Sequence, residues 1–98
     1  MDELKAVNNK KQSRFEIALP DGEYATLDYR WLKGDIVLMH TLVPVTARGK
    51  GLGSILAKYA LDYTREQNLK TLVYCAFVAK YIKDHPEYSD LVRHLQGS

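Results

Sequence analysis

Cysteine is nearly absent from this chain of 98 residues: Cys75 stands alone, so no intrachain disulfide can staple the fold. That composition fits a reducing compartment. Cys75 shares no metal-ligand spacing with His40, His85 or His94, so no metal site is expected. Long apolar runs are missing too, and none approaches the roughly 20 residues a membrane-spanning helix needs. Met1-Asp2-Glu3-Leu4-Lys5 lacks the apolar core of a signal peptide. No membrane partner is expected, and a cytoplasmic location follows by default. Neither sign of charge dominates. The net charge of +2 suits an anionic small ligand and falls short of the basic face a nucleic-acid binder presents. The cluster Lys10, Lys11 and Arg14 is too small to change that. No linker, repeat or low-complexity tract divides the chain. A single domain over residues 1–98 is therefore expected, with 1–5 and 96–98 flexible, as a monomer or weak homodimer.

What is present is periodicity, and it changes once. Before residue 44 the period is two. Ala6-Val7-Asn8-Asn9 reads as a short edge strand, and Phe15, Ile17 and Leu19 share one side of residues 14–19. Pro20-Asp21-Gly22 supplies a turn. Ala25, Leu27, Tyr29 and Trp31 then share a face opposite Thr26, Asp28 and Arg30, which makes Tyr29 and Trp31 core aromatics. Residues 36–43 are nearly all apolar, as in a central strand covered on both sides. From Leu52 the period is 3.6: Leu52, Ile55, Leu56, Tyr59, Ala60 and Tyr63 form one helical stripe, which Asn68 stops. Residues 71–75 read as a buried strand and 76–84 as a helix. Pro86 opens a last helix carrying Tyr88, Leu91, Val92 and Leu95. The order β-β-β-β-α-β-α-α predicts an α+β fold with a mixed sheet, an antiparallel meander joined to a parallel, splayed strand pair.

The change of period falls on Arg48-Gly49-Lys50-Gly51-Leu52-Gly53-Ser54. A glycine-rich turn that opens a helix offers free backbone N–H groups and a positive dipole end, a seat for phosphate oxygens. Arg48 and Lys50 add charge there. Neither the dinucleotide pattern G-x-G-x-x-G nor the Walker A pattern G-x-x-x-x-G-K-S/T is met. What is met is Arg/Gln-x-x-Gly-x-Gly/Ala, through Arg48, Gly51 and Gly53, a pattern that a plain tight turn would also satisfy. Pro44 cannot donate a ladder hydrogen bond, so pairing is expected to stop there and the next strand to diverge. Diverging carboxyl ends leave a crevice, the usual ligand site of an open sheet.

With Val43-Pro44, the turn 48–54 and the helix to Asn68, the chain resembles the GNAT superfamily of acyl-CoA-dependent N-acetyltransferases. It resembles more narrowly the very short GNAT-like proteins of the YjdJ type. Those end in a Cys-x-Phe-Val-x-x-Tyr-Ile-x-x-His-Pro-Glu-Tyr segment, here Cys75 to Tyr88. The likeness covers roughly residues 14–93. It implies a truncated GNAT-like fold that uses acetyl-CoA or coenzyme A. The pyrophosphate would lie on Arg48, Gly49, Lys50, Gly51, Leu52, Gly53 and Ser54, and the pantetheine arm on Leu42 and Val43. Full-length relatives place two helices between the first strands, where this chain has only Pro20-Asp21-Gly22. A more open acceptor pocket follows.

Acetyl transfer needs a neutral amine, a polarised carbonyl and a stabilised leaving thiolate. A backbone N–H near Val43 can serve the carbonyl. Cys75 ends the strand that borders the crevice; its thiol can protonate departing CoA or carry the acetyl group, or else be a small buried hydrophobe. His40, within an apolar strand, can take the amine proton or be a hydrogen-bonded core residue. Tyr81 stands where the resemblance implies a general acid, yet Val78, Tyr81 and Ile82 also form a packing stripe. Lys80 and Lys83 read as contacts for the CoA 3′-phosphate or as solvated charges. His85-Pro86-Glu87-Tyr88 reads as a helix break without chemistry. Two functions follow: an acetyl-CoA-dependent N-acetyltransferase acting on an amine, either a small molecule or a protein lysine, by direct attack on the thioester, or a non-catalytic CoA- or acyl-CoA-binding module.

Overall fold

Alternating residues fold into four antiparallel strands: β1 (Ala6–Asn9), β2 (Arg14–Ala18), β3 (Tyr24–Leu32) and β4 (Asp35–Leu42). The coordinates are a computed structural model that describes residues 4–93. A short 3-10 turn, Val45–Ala47, leads into the 15-residue helix α1 (Leu52–Glu66). Strand β5 (Thr71–Val73), helix α2 (Ala76–Asp84) and a 3-10 segment, Pro86–Leu91, complete the chain. The sheet order is β1-β2-β3-β4-β5, and β4 with β5 is its parallel pair. This is the expected α+β fold with its antiparallel meander. Asn68 stops α1 at a φ of 57°.

Both helices cover the same sheet face. Phe15, Ile17, Leu27, Ile36 and Leu38 form one cluster with Leu56, Ala60 and Leu61 of α1 and Val78 and Ile82 of α2. Phe15 lies at its centre, its ring 4.8 Å from Tyr29, 5.5 Å from Tyr59 and 5.6 Å from Tyr63. The other face carries no helix among the described residues. The reading of residues 36–43 as covered on both sides therefore holds only for residues 36–38, where side chains on both faces are buried. Burial holds from Asp35 to Leu38 and then fails, with His40 exposed and Leu42 52% exposed.

Trp31 is likewise half exposed rather than core. It shares the face of Tyr29, but β2 starts opposite Asp28 and leaves the far end of β3 without that neighbour. On α1 the buried stripe is turned toward Gly53, Ala57, Leu61 and Thr64, leaving Ile55 at its exposed margin. The last helix is a 3-10 segment because the chain must straighten at Val92. There it bridges Thr71, and the Arg93 N–H donates to the Thr71 carbonyl at 2.9 Å, covering the outer edge of β5. Leu95 of the expected stripe lies outside the described residues, as do the ends expected to be flexible, apart from Leu4 and Lys5. Leu4 packs against the core.

His85-Pro86-Glu87-Tyr88 breaks α2 and then clasps α1. The Tyr88 hydroxyl donates to Asp62 Oδ1 at 2.7 Å, Lys58 Nζ donates to Asp62 Oδ2 at 2.7 Å, and Arg65 holds Asp90 through two bonds. Burial pushes the Asp62 carboxyl up, but the bonds from Lys58 and Tyr88 outweigh it and hold the group below its usual 3.8. A carboxyl whose folded pKa is depressed adds stability above its unfolded pKa, about 3.9, and loses it as pH falls through the folded value. Asp62→Asn should therefore flatten the fall in melting temperature below about pH 4. Parallel pH curves for the two proteins would remove Asp62 from the acid response.

Candidate active site

The β4–β5 ladder is three residues long: Ile36 opposite Thr71, Val37 opposite Leu72, Leu38 opposite Val73. It ends at Leu38, whose carbonyl accepts both the Tyr74 N–H at 2.9 Å and the Cys75 N–H at 3.2 Å. On the other side of β4, pairing steps from Asp28–His40 to Tyr29–Leu38, which leaves Met39 as an extra, bulged residue. A bulge bends its strand and increases local twist. The opening between the parallel strands thus starts at Leu38 and the Met39 bulge, not at Pro44 as the sequence suggests. From there β4 runs on to Leu42 while β5 turns away into α2.

The bulge also sets which side chains look where. Thr41 is opposite Leu27 and Leu38 opposite Tyr29, so both face the helices. His40 opposite Asp28 and Leu42 opposite Thr26 face the open side.

A cavity of about 450 Å³ fills the opening. Thr41, Leu42 and Val43 form one wall, Arg48, Gly49 and Gly51 to Ser54 its mouth, with Ala47 and Phe77 completing it. Every residue expected for the cofactor lines it except Lys50, which borders a neighbouring cavity with Leu19, Pro20 and Asp21. Gly49 and Gly51 stand at φ of 86° and 74°, a region costly for residues with a Cβ, and Gly51 caps α1. The first N–H groups of α1 have no intrahelical acceptor and carry the positive end of the helix dipole. Arg48 Nε donates to the Val43 carbonyl at 3.2 Å, so its guanidinium ties the turn to the end of β4. Gly53 is buried beneath Phe77, and a Cβ there would lie 2.7 Å from the Phe77 Cζ atom.

Cys75 is buried, and its Sγ lies 3.0 Å from Thr41 Oγ1. The thiol does not line the cavity itself but stands one side chain behind Thr41, which does. His40 is on the opposite face of the sheet and away from the cavity. Tyr81 is half-buried, stacked on His85 at 4.0 Å and 6.2 Å from Tyr88, and burial raises its phenol above the usual 10.0. It too is absent from the lining. Lys80 is exposed and paired with Asp84 at 2.8 Å, and Lys83 is exposed. The structure therefore joins Cys75 to the cavity through Thr41, puts His40 on the opposite face of the sheet and leaves Tyr81 out of the lining. Sequence reasoning passed over Thr41, Ala47 and Phe77. Phe77 was within reach, two residues after Cys75 in the same motif. Thr41 was not, because only the bulge turns it toward the thiol.

Residues 14–91 match the GCN5-related N-acetyl-transferase family. The chain belongs to that family. Protein NATD1 of Gallus gallus is 35% identical over 95 residues, covering 95% of this chain and 86% of that protein. Protein NATD1 of Danio rerio is 34% identical over 95 residues, covering 93% and 86%. The solution structure of a GCN5-like protein from Staphylococcus aureus superposes with a TM-score of 0.72 at 26% identity, over 99% of this chain and 95% of that one. As a member of the GCN5-related family the chain falls in the acetyltransferase class, and its sheet, splay and glycine turn are that fold. No helix among the described residues is long and apolar enough to cross a membrane.

Proposed function

We propose that this protein is an acetyl-CoA-dependent N-acetyltransferase that passes the acetyl group to an amine by direct attack on the thioester. One observation carries the reading: an apolar cavity between parted parallel strands, with the N-terminus of α1 at its mouth and the Thr41–Cys75 pair at its wall. The residues fit the donor. Two glycines in the left-handed region keep the turn's amides bare for a diphosphate, and Leu42 and Val43 offer an unpaired strand edge to an amide-bearing arm. Acetyl-CoA supplies the activated acyl group. A nitrogen–carbon bond forms, the carbon–sulfur bond breaks, the amine gives up a proton to water, and the leaving thiolate gains one that water afterwards restores to its donor. Cys75 is assigned that last proton, delivered through the Thr41 hydroxyl, which can donate and accept at once.

Cys75→Ala is then expected to lower kcat by about 100-fold, the lower end for a lost general acid. CoA affinity should stay within about twofold, since the thiol stands behind the lining. Unchanged turnover would take the thiol out of the mechanism. A second reading, the CoA-binding module without turnover, draws support from the lining itself, where Arg48 is the one ionisable residue. Free-thiol release from acetyl-CoA across an amine panel, run beside calorimetric CoA titration, separates the two. Release with any amine supports the enzyme; binding with no release on the whole panel supports the module.

A further inference from the structure

The parting of β4 from β5 opens through the sheet. Thr41 faces the helices and Leu42 the open side, and both line the cavity. On the open side, across the gap, Tyr74 is 61% exposed. A substrate can therefore meet the thioester from the face opposite the glycine turn.

That face holds a second cavity, about 540 Å³, next to the first along β4. Lys11, Arg14, Asp28, Arg30 and His40 border it, together with Met39, the bulged residue that starts the splay. Arg14, Asp28 and His40 form one row across three strands, and Thr26 with Leu42 form the next row toward the splay. Arg14 is spent on Glu16 at 2.8 Å. Among the described residues Lys11, Arg30 and Asp28 make no ion pair, so two uncommitted cations face one uncommitted carboxylate. A concave surface with that excess attracts an anion.

We propose that this second cavity is the acceptor site, and that it takes a small primary amine carrying an anionic group. The inference rests on the acetyl-transfer reading above. Lys11 and Arg30 hold the anion, and the amine points along β4 toward Leu42. His40 to Leu42 is two residues, about 7 Å, so a chain of about six carbons between anion and amine spans the distance. His40, parted from Cys75, and Asp28 beside it lie at the start of this path, where the Asp28 carboxylate attracts the ammonium group before it moves on to Leu42.

Three matched probes test this by amide-shift titration of isotope-labelled protein: 6-aminohexanoate, hexylamine and 1,6-diaminohexane. The acid-tailed amine should bind about tenfold tighter than hexylamine and shift the amides of Asp28, Arg30 and His40, with the diamine weakest. The double variant Arg30→Gln, Lys11→Gln, both residues exposed, should erase the preference while CoA binds as before. Equal binding of the three probes, or shifts confined to other residues, would overturn the proposal. A separate CoA titration reads the amides of residues 49–54. Failure there defeats the acetyl-transfer reading, whereas failure of the amine series alone defeats only the acceptor assignment.

Discussion

Gly53→Glu is expected to weaken CoA binding by at least about 100-fold without unfolding the protein. The position is the second residue of α1, at the mouth of the cavity. A carboxylate about 4 Å from a diphosphate charge costs about 4 kcal/mol at an effective dielectric constant near 20, before screening by salt. A hundredfold loss needs only about 2.7 kcal/mol. Electrostatics alone suffices, and the displaced Phe77 ring removes an apolar wall as well. Stability should move in the other direction or barely at all. A carboxylate in the first helical turn gains roughly 0.3–1 kcal/mol from the dipole. Phe77 is 44% exposed and has room to swing. Calorimetry with CoA, beside a thermal melt, reads both quantities. Binding retained within about fivefold would mean that the diphosphate lies elsewhere.

Phe15→Ala carries the largest expected loss of stability, about 3–5 kcal/mol. The side chain is fully buried and touches three tyrosine rings, two of them on α1. Its removal leaves a cavity that neighbours fixed on β3 and α1 can close only partly. Against a total of about 5–15 kcal/mol for a domain, that loss is a large share of the stability. The effect reaches the site because Phe15 seats α1 on the sheet, and α1 presents the glycine turn. Urea denaturation should show the midpoint falling by about 1.5–2.5 M at a slope of about 2 kcal/mol/M, with the slope unchanged. A loss under about 1 kcal/mol would contradict the seating of α1 on β2.

The sequence made the architecture legible because its periodicity is strong where packing is one-sided. Phe15, Ile17 and Leu27 alternate and end on the helix face; Leu52, Leu56 and Ala60 repeat at helical spacing and end against them. Arg48, Gly51 and Gly53 marked the turn, Gly51 because few residues tolerate its left-handed backbone and Gly53 because Phe77 lies over it. What alternation could not reveal is a break in its own phase. The Met39 bulge moves Thr41 to the thiol and His40 to the far side, so a histidine and a cysteine expected together lie on opposite faces. Burial at element ends was also hidden. Trp31 and Ile55 fit their stripes, but their cover depends on where β2 begins and how α1 is rotated. Tyr81 followed from its motif, yet stacking on His85 turns it into the α2 packing, and the 3-10 geometry after Pro86 follows from a distant contact with Thr71.

The central claim is that a diphosphate sits on the amides that open α1, with its thiol-bearing arm along the free edge of β4. A crystal structure with bound CoA tests it most directly. The account predicts diphosphate oxygens within hydrogen-bond distance of backbone nitrogens between Gly49 and Ser54, and the arm beside Leu42 and Val43 with its sulfur next to Thr41. CoA bound away from that turn, or β4 and β5 paired to their ends, would contradict it.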